Sequence, residues 1–158
     1  MPRFVYESFI PAPPKTVFAF HERPDALALL IAPFDKTEVL RPPAGLETGT
    51  EVVLRTRLFP GVWQTIVARH TDFRHGEFFE DTMVRGPFRR WRHRHVFEPH
   101  GQGCMLRDEI EYEPPLGWLG RLADPLLIRP RLRRMFEFRH AVTRREVLKM
   151  AGTQPGPD

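Results

Sequence analysis

Polar and apolar positions alternate along residues 86–97 (GPFRRWRHRHVF) in a way that gives the chain an unusual inside. One parity carries Trp91, His93, His95 and Phe97, and the other carries Arg90, Arg92 and Arg94. Successive side chains of a strand point to opposite faces. The guanidinium row is therefore predicted to face water, and the aromatic and imidazole row to face the core. Upstream, Phe4, Tyr6 and Ser8 alternate with Val5, Glu7 and Phe9, which predicts a strand over 4–10 that Pro11, Pro13 and Pro14 end. A short helix follows over 15–23, entered through Pro14, with Val17, Phe18 and Phe20 towards the core. Pro24 and Asp25 break it, and Asp25 stands where it would cap a second short helix ending at Ile31.

Strands are then predicted over 38–41, 51–59, 62–73, 77–84, the Trp91 stretch and 104–113. Pro60-Gly61 and Gly86-Pro87 supply turns, and residues 98–103 read as a six-residue loop. From 116 to about 150 the pattern is helical, interrupted near Asp124-Pro125 and Arg129-Pro130. Leu132, Met135, Phe136, Phe138 and Val142 make its apolar stripe. This order predicts an α+β fold: a curved antiparallel sheet of about six to seven strands wrapped around a long C-terminal helix, with two short helices between strands one and two. A single domain over 1–150 is expected, with a disordered tail over 151–158.

Composition narrows the function classes. No apolar run reaches the roughly 18–20 residues of a membrane helix, and MPRFVYESF lacks the apolar core of a signal peptide. No membrane insertion and a cytoplasmic location are therefore expected. The lone Cys104 excludes an intrachain disulfide and a cysteine-based zinc site. A net charge of +4 raises nucleic acid or an anionic surface as partners. Cross-strand pairing of Arg89, Arg90, Arg92 and Arg94 with Glu109, Glu111 and Glu113 accounts for the same residues, so no nucleic-acid partner is expected. Arg-rich strand edges neither require nor forbid self-association, leaving monomer or homodimer.

The candidate chemistry lies on the inward parity. With the loop at 98–103, His93 is predicted opposite Asp108, His95 opposite Leu106 and Trp91 opposite Ile110, and Asp81 opposite or one step diagonal to His93. A slip by one residue would bury the charged parity, so the pattern itself selects the face. An Asp81–His93–Asp108 cluster with His95 beside it admits three readings. It is a self-satisfied polar network, or it holds the polar head of a ligand whose body packs on Phe79, Trp91 and the stripe from Met135 to Phe138. The third is catalysis by a His–Asp general base, for which His93, Asp108 and Asp81 are the candidates. No nucleophile accompanies it. His93 and His95 with Asp81 or Asp108 also match a two-His-one-carboxylate set, but hydrogen-bonded core histidines are the plainer reading, and no metal or cofactor is expected. Tyr112 and Trp63 are further lining candidates. Arg139 either reaches inward to a carboxylate or, more plainly, packs its stem while its head stays in water. His21, His70, His75, His100 and His140 read as surface or loop residues.

The element order and the segments Phe79-Glu-Asp81, Gly86-Pro87-Phe88, Trp91-x-His93-x-His95-x-Phe97, Asp108-x-Ile-x-Tyr112 and Pro115-x-Gly117 resemble the START-like helix-grip proteins. They are most similar to the bacterial SRPBCC, or polyketide-cyclase-like, branch, over residues 3–148. The resemblance implies a cavity for a small hydrophobic ligand such as a lipid or polyketide. It implies no fixed chemistry, since its members include carriers, cyclases and binding modules. The expectation is a small-molecule binding protein, the alternative a cyclase or dehydratase using the His–Asp pair, and last a basic surface binder.

Overall fold

The structure is a computed structural model that describes residues 1–152. Seven strands form one antiparallel sheet: β1 (Arg3–Ile10), β2 (Thr37–Arg41), β3 (Glu51–Phe59), β4 (Val62–Arg74), β5 (Phe78–Arg85), β6 (Arg90–His100) and β7 (Gly103–Glu113). Their order is β1-β7-β6-β5-β4-β3-β2, a meander whose first strand closes against its last. Helices α1 (Pro14–Glu22) and α2 (Ala26–Leu30) separate β1 from β2, and α3 (Trp118–Ala123) leads through a π-helical turn (Asp124–Ile128) into α4 (Arg129–Gly152). The α+β helix-grip arrangement expected from the sequence is what the chain adopts. The expected tail lies outside the described residues beyond Gly152, and α4 itself runs to that residue.

Local chemistry explains the element ends. Pro14 opens α1 at a position whose N–H would be unpaired in any case. Asp25 precedes α2 but makes no side-chain cap, because Arg23 holds both carboxylate oxygens. The Asp124-Pro125 interruption becomes the π-helical turn, which carries the chain into α4 without a loop.

The hairpin of β6 and β7 is tighter than the sequence suggests. It turns at Gly101 and Gln102, and Pro99 and His100 belong to β6. Phe97 donates its N–H to the Glu77 carbonyl at 2.8 Å, on the side of β5. Two residues on, Pro99 presents its missing N–H to the same side, where β5 has already ended, so no ladder bond is lost. Gly101, with φ of 55°, takes the first central position, as in type II′ hairpins. The register consequently moves by two residues. His95 pairs with Asp108, His93 with Ile110 and Trp91 with Tyr112. A shift of two preserves every side-chain face, so the predicted inside and outside survive the error.

The inner face carries two apolar clusters. One gathers Ile10, Phe18, Phe20, Phe79, Phe97, Leu106 and Val142, and the other Phe4, Ile110, Tyr112, Leu132 and Phe136. Between them each contributing element places polar residues: Ser8 on β1, Asp108 on β7, His93 and His95 on β6, Asp81 on β5, and Arg139 and His140 on α4. The inner face thus has an apolar, polar, apolar stratification. No helix among the described residues is long and apolar enough to cross a membrane.

Candidate functional site

Asp108 is the centre of the polar layer. Its Oδ1 accepts from His93 Nε2 at 2.6 Å and lies 2.7 Å from His95 Nδ1, while its Oδ2 accepts from His140 Nε2 at 2.6 Å. The second nitrogen of His140 meets the Ser8 hydroxyl at 2.6 Å. With Nε2–H committed to Asp108, His140 Nδ1 is the acceptor and Ser8 the donor. On the far side of the two strand imidazoles, Asp81 Oδ2 lies 3.6 Å from His93 Nδ1 and 3.7 Å from His95 Nε2. The His93 and His95 rings lie 3.8 Å apart between centroids, and His95 stacks on Phe79 at 4.0 Å and 18°.

Burial and charge act in opposite directions on these groups. Burial alone would neutralise His95, but the Asp108 and then the Asp81 carboxylates outweigh it and raise its pKa to about 9. His93 goes the other way, lowered by burial and by the charge on His95. For Asp108, burial opposes ionisation, and His95 with the hydrogen bonds of His140 and His93 overrides it, holding the carboxyl well below the usual range. Asp81 is likewise lowered, with burial opposed by His95 and His93. Arg139 is lowered by burial, against the carboxylates of Asp108, Asp81 and Asp35.

Several histidines sit elsewhere than the sequence suggests. His140 is buried within the layer rather than exposed. Its position four residues after Phe136 and eight after Leu132 puts it on the apolar stripe, and that spacing is the signal that identifies it. His70 is also buried, directly across β4 and β5 from Asp81. His21 lies beside Phe97 and Phe79, and burial, followed by the His95 charge, lowers its pKa to about 4. His75 and His100 are exposed as expected. Ser8 is legible only as an inward polar residue between Phe4 and Ile10.

The remaining expected lining residues divide. Phe79 and Phe136 pack against the layer, with the Phe136 ring 5.2 Å from His93. Trp91 and Met135 flank the second cluster and Phe138 the first. Tyr112 is fully buried, and its hydroxyl donates to Asp124, a bond that together with burial raises its pKa. Trp63 does not line the core. It shares the outer parity of β4 with Thr65 and Val67, is 38% exposed, and lies under the Arg55 guanidinium. Arg139 is partly buried, with its Cζ 5.3 Å from the Phe136 ring centre and its Nε buried without a hydrogen-bond partner; His70 Nδ1 and Thr143 Oγ1 are buried in the same condition.

Outside the sheet the arginine row is matched by acids. Arg92 reaches Glu111 at 3.0 Å, and Arg94 reaches Glu80 and Asp72 at 2.9 Å each. A cleft of about 440 Å3 opens where Phe34, Asp35, Leu58 and Phe59 meet Pro130, Arg131 and Arg134 of α4. It is not lined by the Asp108 cluster. Between cleft and cluster lies the inner face of β3 to β5, where Leu54, Leu58, Ile66, Ala68 and Met83 share the inward parity of Val52, Thr56 and Phe79 and remain only partly buried.

Solved structures share this architecture. The protein TTHA0849 of Thermus thermophilus superposes with a TM-score of 0.73 at 20% identity, covering 97% of this chain and all (100%) of that one. CV1439 of Chromobacterium violaceum gives 0.69 at 17% identity, covering 92% and 96%. A nucleoside-diphosphate sugar epimerase of Corynebacterium glutamicum gives 0.70 at 24% identity over 95% of this chain but 30% of its own. At these identities the likeness is one of fold. No curated protein matches the sequence. Residues 10–136 match the family profile described as polyketide cyclase / dehydrase and lipid transport. With that match spanning most of the sheet, both short helices and the start of α4, the chain belongs to the polyketide cyclase / dehydrase and lipid transport family.

Proposed function

We propose that the protein binds a small hydrophobic or amphipathic molecule, of lipid, polyketide or aromatic character, between the sheet and α4. One juxtaposition carries this reading. The inward apolar residues of β3 to β5 are incompletely covered, and they adjoin the polar layer, in and beside which Arg139 Nε, His70 Nδ1 and Thr143 Oγ1 have no hydrogen-bond partner. Buried polar atoms are satisfied in the great majority of cases, so unsatisfied ones beside an open apolar surface support a ligand with a polar end. Asp35 links the two regions: it lines the cleft and its charge is felt by Arg139. Family membership supports the same reading.

Carriage or sensing fits better than general-base catalysis by His93. Its Nε2 is committed to Asp108, and its Nδ1 lies 3.6 Å from the Asp81 carboxylate, which stands between it and a substrate. Native mass spectrometry on protein purified from its own host, followed by denaturing extraction, tests the proposal. A near-stoichiometric apolar molecule is the expected result. Protein that is empty, and that stays empty when incubated with a host lipid extract, would overturn it.

A further inference from the structure

We infer that Asp81, His93 and His95 form a binding site for one divalent first-row transition ion, with Asp108 as the group that orients both imidazoles. Asp81, His93 and His95 each offer one ligand atom within 4.8 Å of the others, and Asp81 Oδ2 lies 3.6 Å from His93 Nδ1 and 3.7 Å from His95 Nε2. Asp108 sets the orientation of both rings. By accepting the Nε2–H of His93 and facing Nδ1 of His95 at 2.7 Å, one carboxylate directs the opposite nitrogen of each ring towards Asp81. Two imidazole nitrogens and a carboxylate oxygen then converge in one buried place, a donor set suited to a cation between them.

A proton meets that requirement poorly. The separations of 3.6 and 3.7 Å from Asp81 Oδ2 exceed the 2.7–3.2 Å of an N–H···O bond. They are close to the span across an ion whose bonds are about 2.0–2.2 Å, since tetrahedral ligand atoms then stand roughly 3.3–3.5 Å apart. Two imidazoles and one carboxylate suit zinc or ferrous iron and leave positions open for water or for a ligand's polar end. A carboxylate behind each metal-ligating histidine is the usual outer support. Here Asp108 supplies it to both, and is itself fixed by His140 and through it by Ser8. The side chains of Asp81 and His95 retain 16% and 13% exposure, so an ion can enter from their side.

The site does not depend on the hydrophobic-ligand reading, and the two fail separately, because this test uses chelator-treated protein and zinc or cobalt salts alone. Titration calorimetry is expected to give one zinc per chain, and the zinc-loaded protein a higher melting temperature. Cobalt is expected to give the visible absorption of a four- or five-coordinate ion. Asp81→Asn and His95→Gln, each checked for folding by circular dichroism, are expected to lose at least tenfold in affinity, and His140→Ala about 10–100-fold. A double variant of the exposed histidines, His75→Ala with His100→Ala, is expected to bind as the parent does. Absence of stoichiometric zinc binding would overturn the site. So would binding that survives Asp81→Asn and His95→Gln, or that disappears with His75 and His100.

Discussion

At Asp108 a single carboxylate faces three imidazoles, from His93, His95 and His140, all in the interior. Removing it leaves the imidazole donors without their acceptor and takes the nearer carboxylate from a buried positive charge, and breaking a buried pair in this way typically costs about 3–5 kcal/mol. Asp108→Ala is expected to lower the melting temperature by roughly 10 °C in a chain of this size. A drop of less than 2–3 °C, roughly what 1 kcal/mol produces, would show that the network does not hold in solution. Cys104 behaves as a core residue: it is buried, and burial pushes its thiol up to about 11. A folded pKa raised above the unfolded value near 9 means that the folded chain keeps its proton longer. The contribution is complete below pH 9 and is lost as pH rises from 9 towards 11. Alkylation of the native protein at pH 8 should therefore be negligible and should appear at once in denaturant. Rapid native labelling would contradict the burial.

Elements differ in how far the fold consumes their side chains. In α4, the residues Leu132, Phe136, His140, Thr143 and Val147 recur at spacings of four and three and are all buried. The segment before it does the opposite. Leu116, Trp118, Leu119, Leu122, Leu126 and Leu127 are each at least half exposed, with Leu126 at 77%. Such side chains lose little contact with water on folding, so they add little to stability. Replacement of Leu126 by Ser should shift the unfolding free energy by no more than about 0.5 kcal/mol, as measured by urea denaturation. A loss several times larger would show that this ridge is covered in solution. In β6 the outer arginines are matched across strands and the inner histidines are gathered into one layer, so both faces of the strand are occupied.

For the whole molecule, the polar layer lies between two apolar clusters, and each cluster draws on both sheet and helix. Hydrophobic burial above and below fixes the distance between α4 and β1, and Ser8 and His140 meet across that distance. The same closure does not extend to β3 and β4, whose inward residues stay partly exposed. The sheet thus provides a closed half with a rigid polar network and an open half with apolar surface, and the proposed ligand and ion sites lie at their boundary.

Alternation along residues 86–97 was enough to assign the inner histidines and outer arginines, because side-chain direction in a strand depends only on parity. The element order likewise determined the helix-grip fold, since one long apolar-striped helix must cover the one curved sheet. Parity cannot tell register apart in steps of two, so the pairing of His95 rather than His93 with Asp108 depended on where Pro99 falls relative to the end of β5. Nor does local pattern tell which distant element supplies a partner. His140 and Ser8 are 132 residues apart and meet only because α4 packs against the β1 edge. Trp63 shows the converse, an apolar residue whose face is set by the β3–β4 register rather than by its hydrophobicity. The sequence by itself determined the faces, the elements and their order. The tertiary structure decided which of the buried polar groups touch, since that depends on packing across elements that share no local signal.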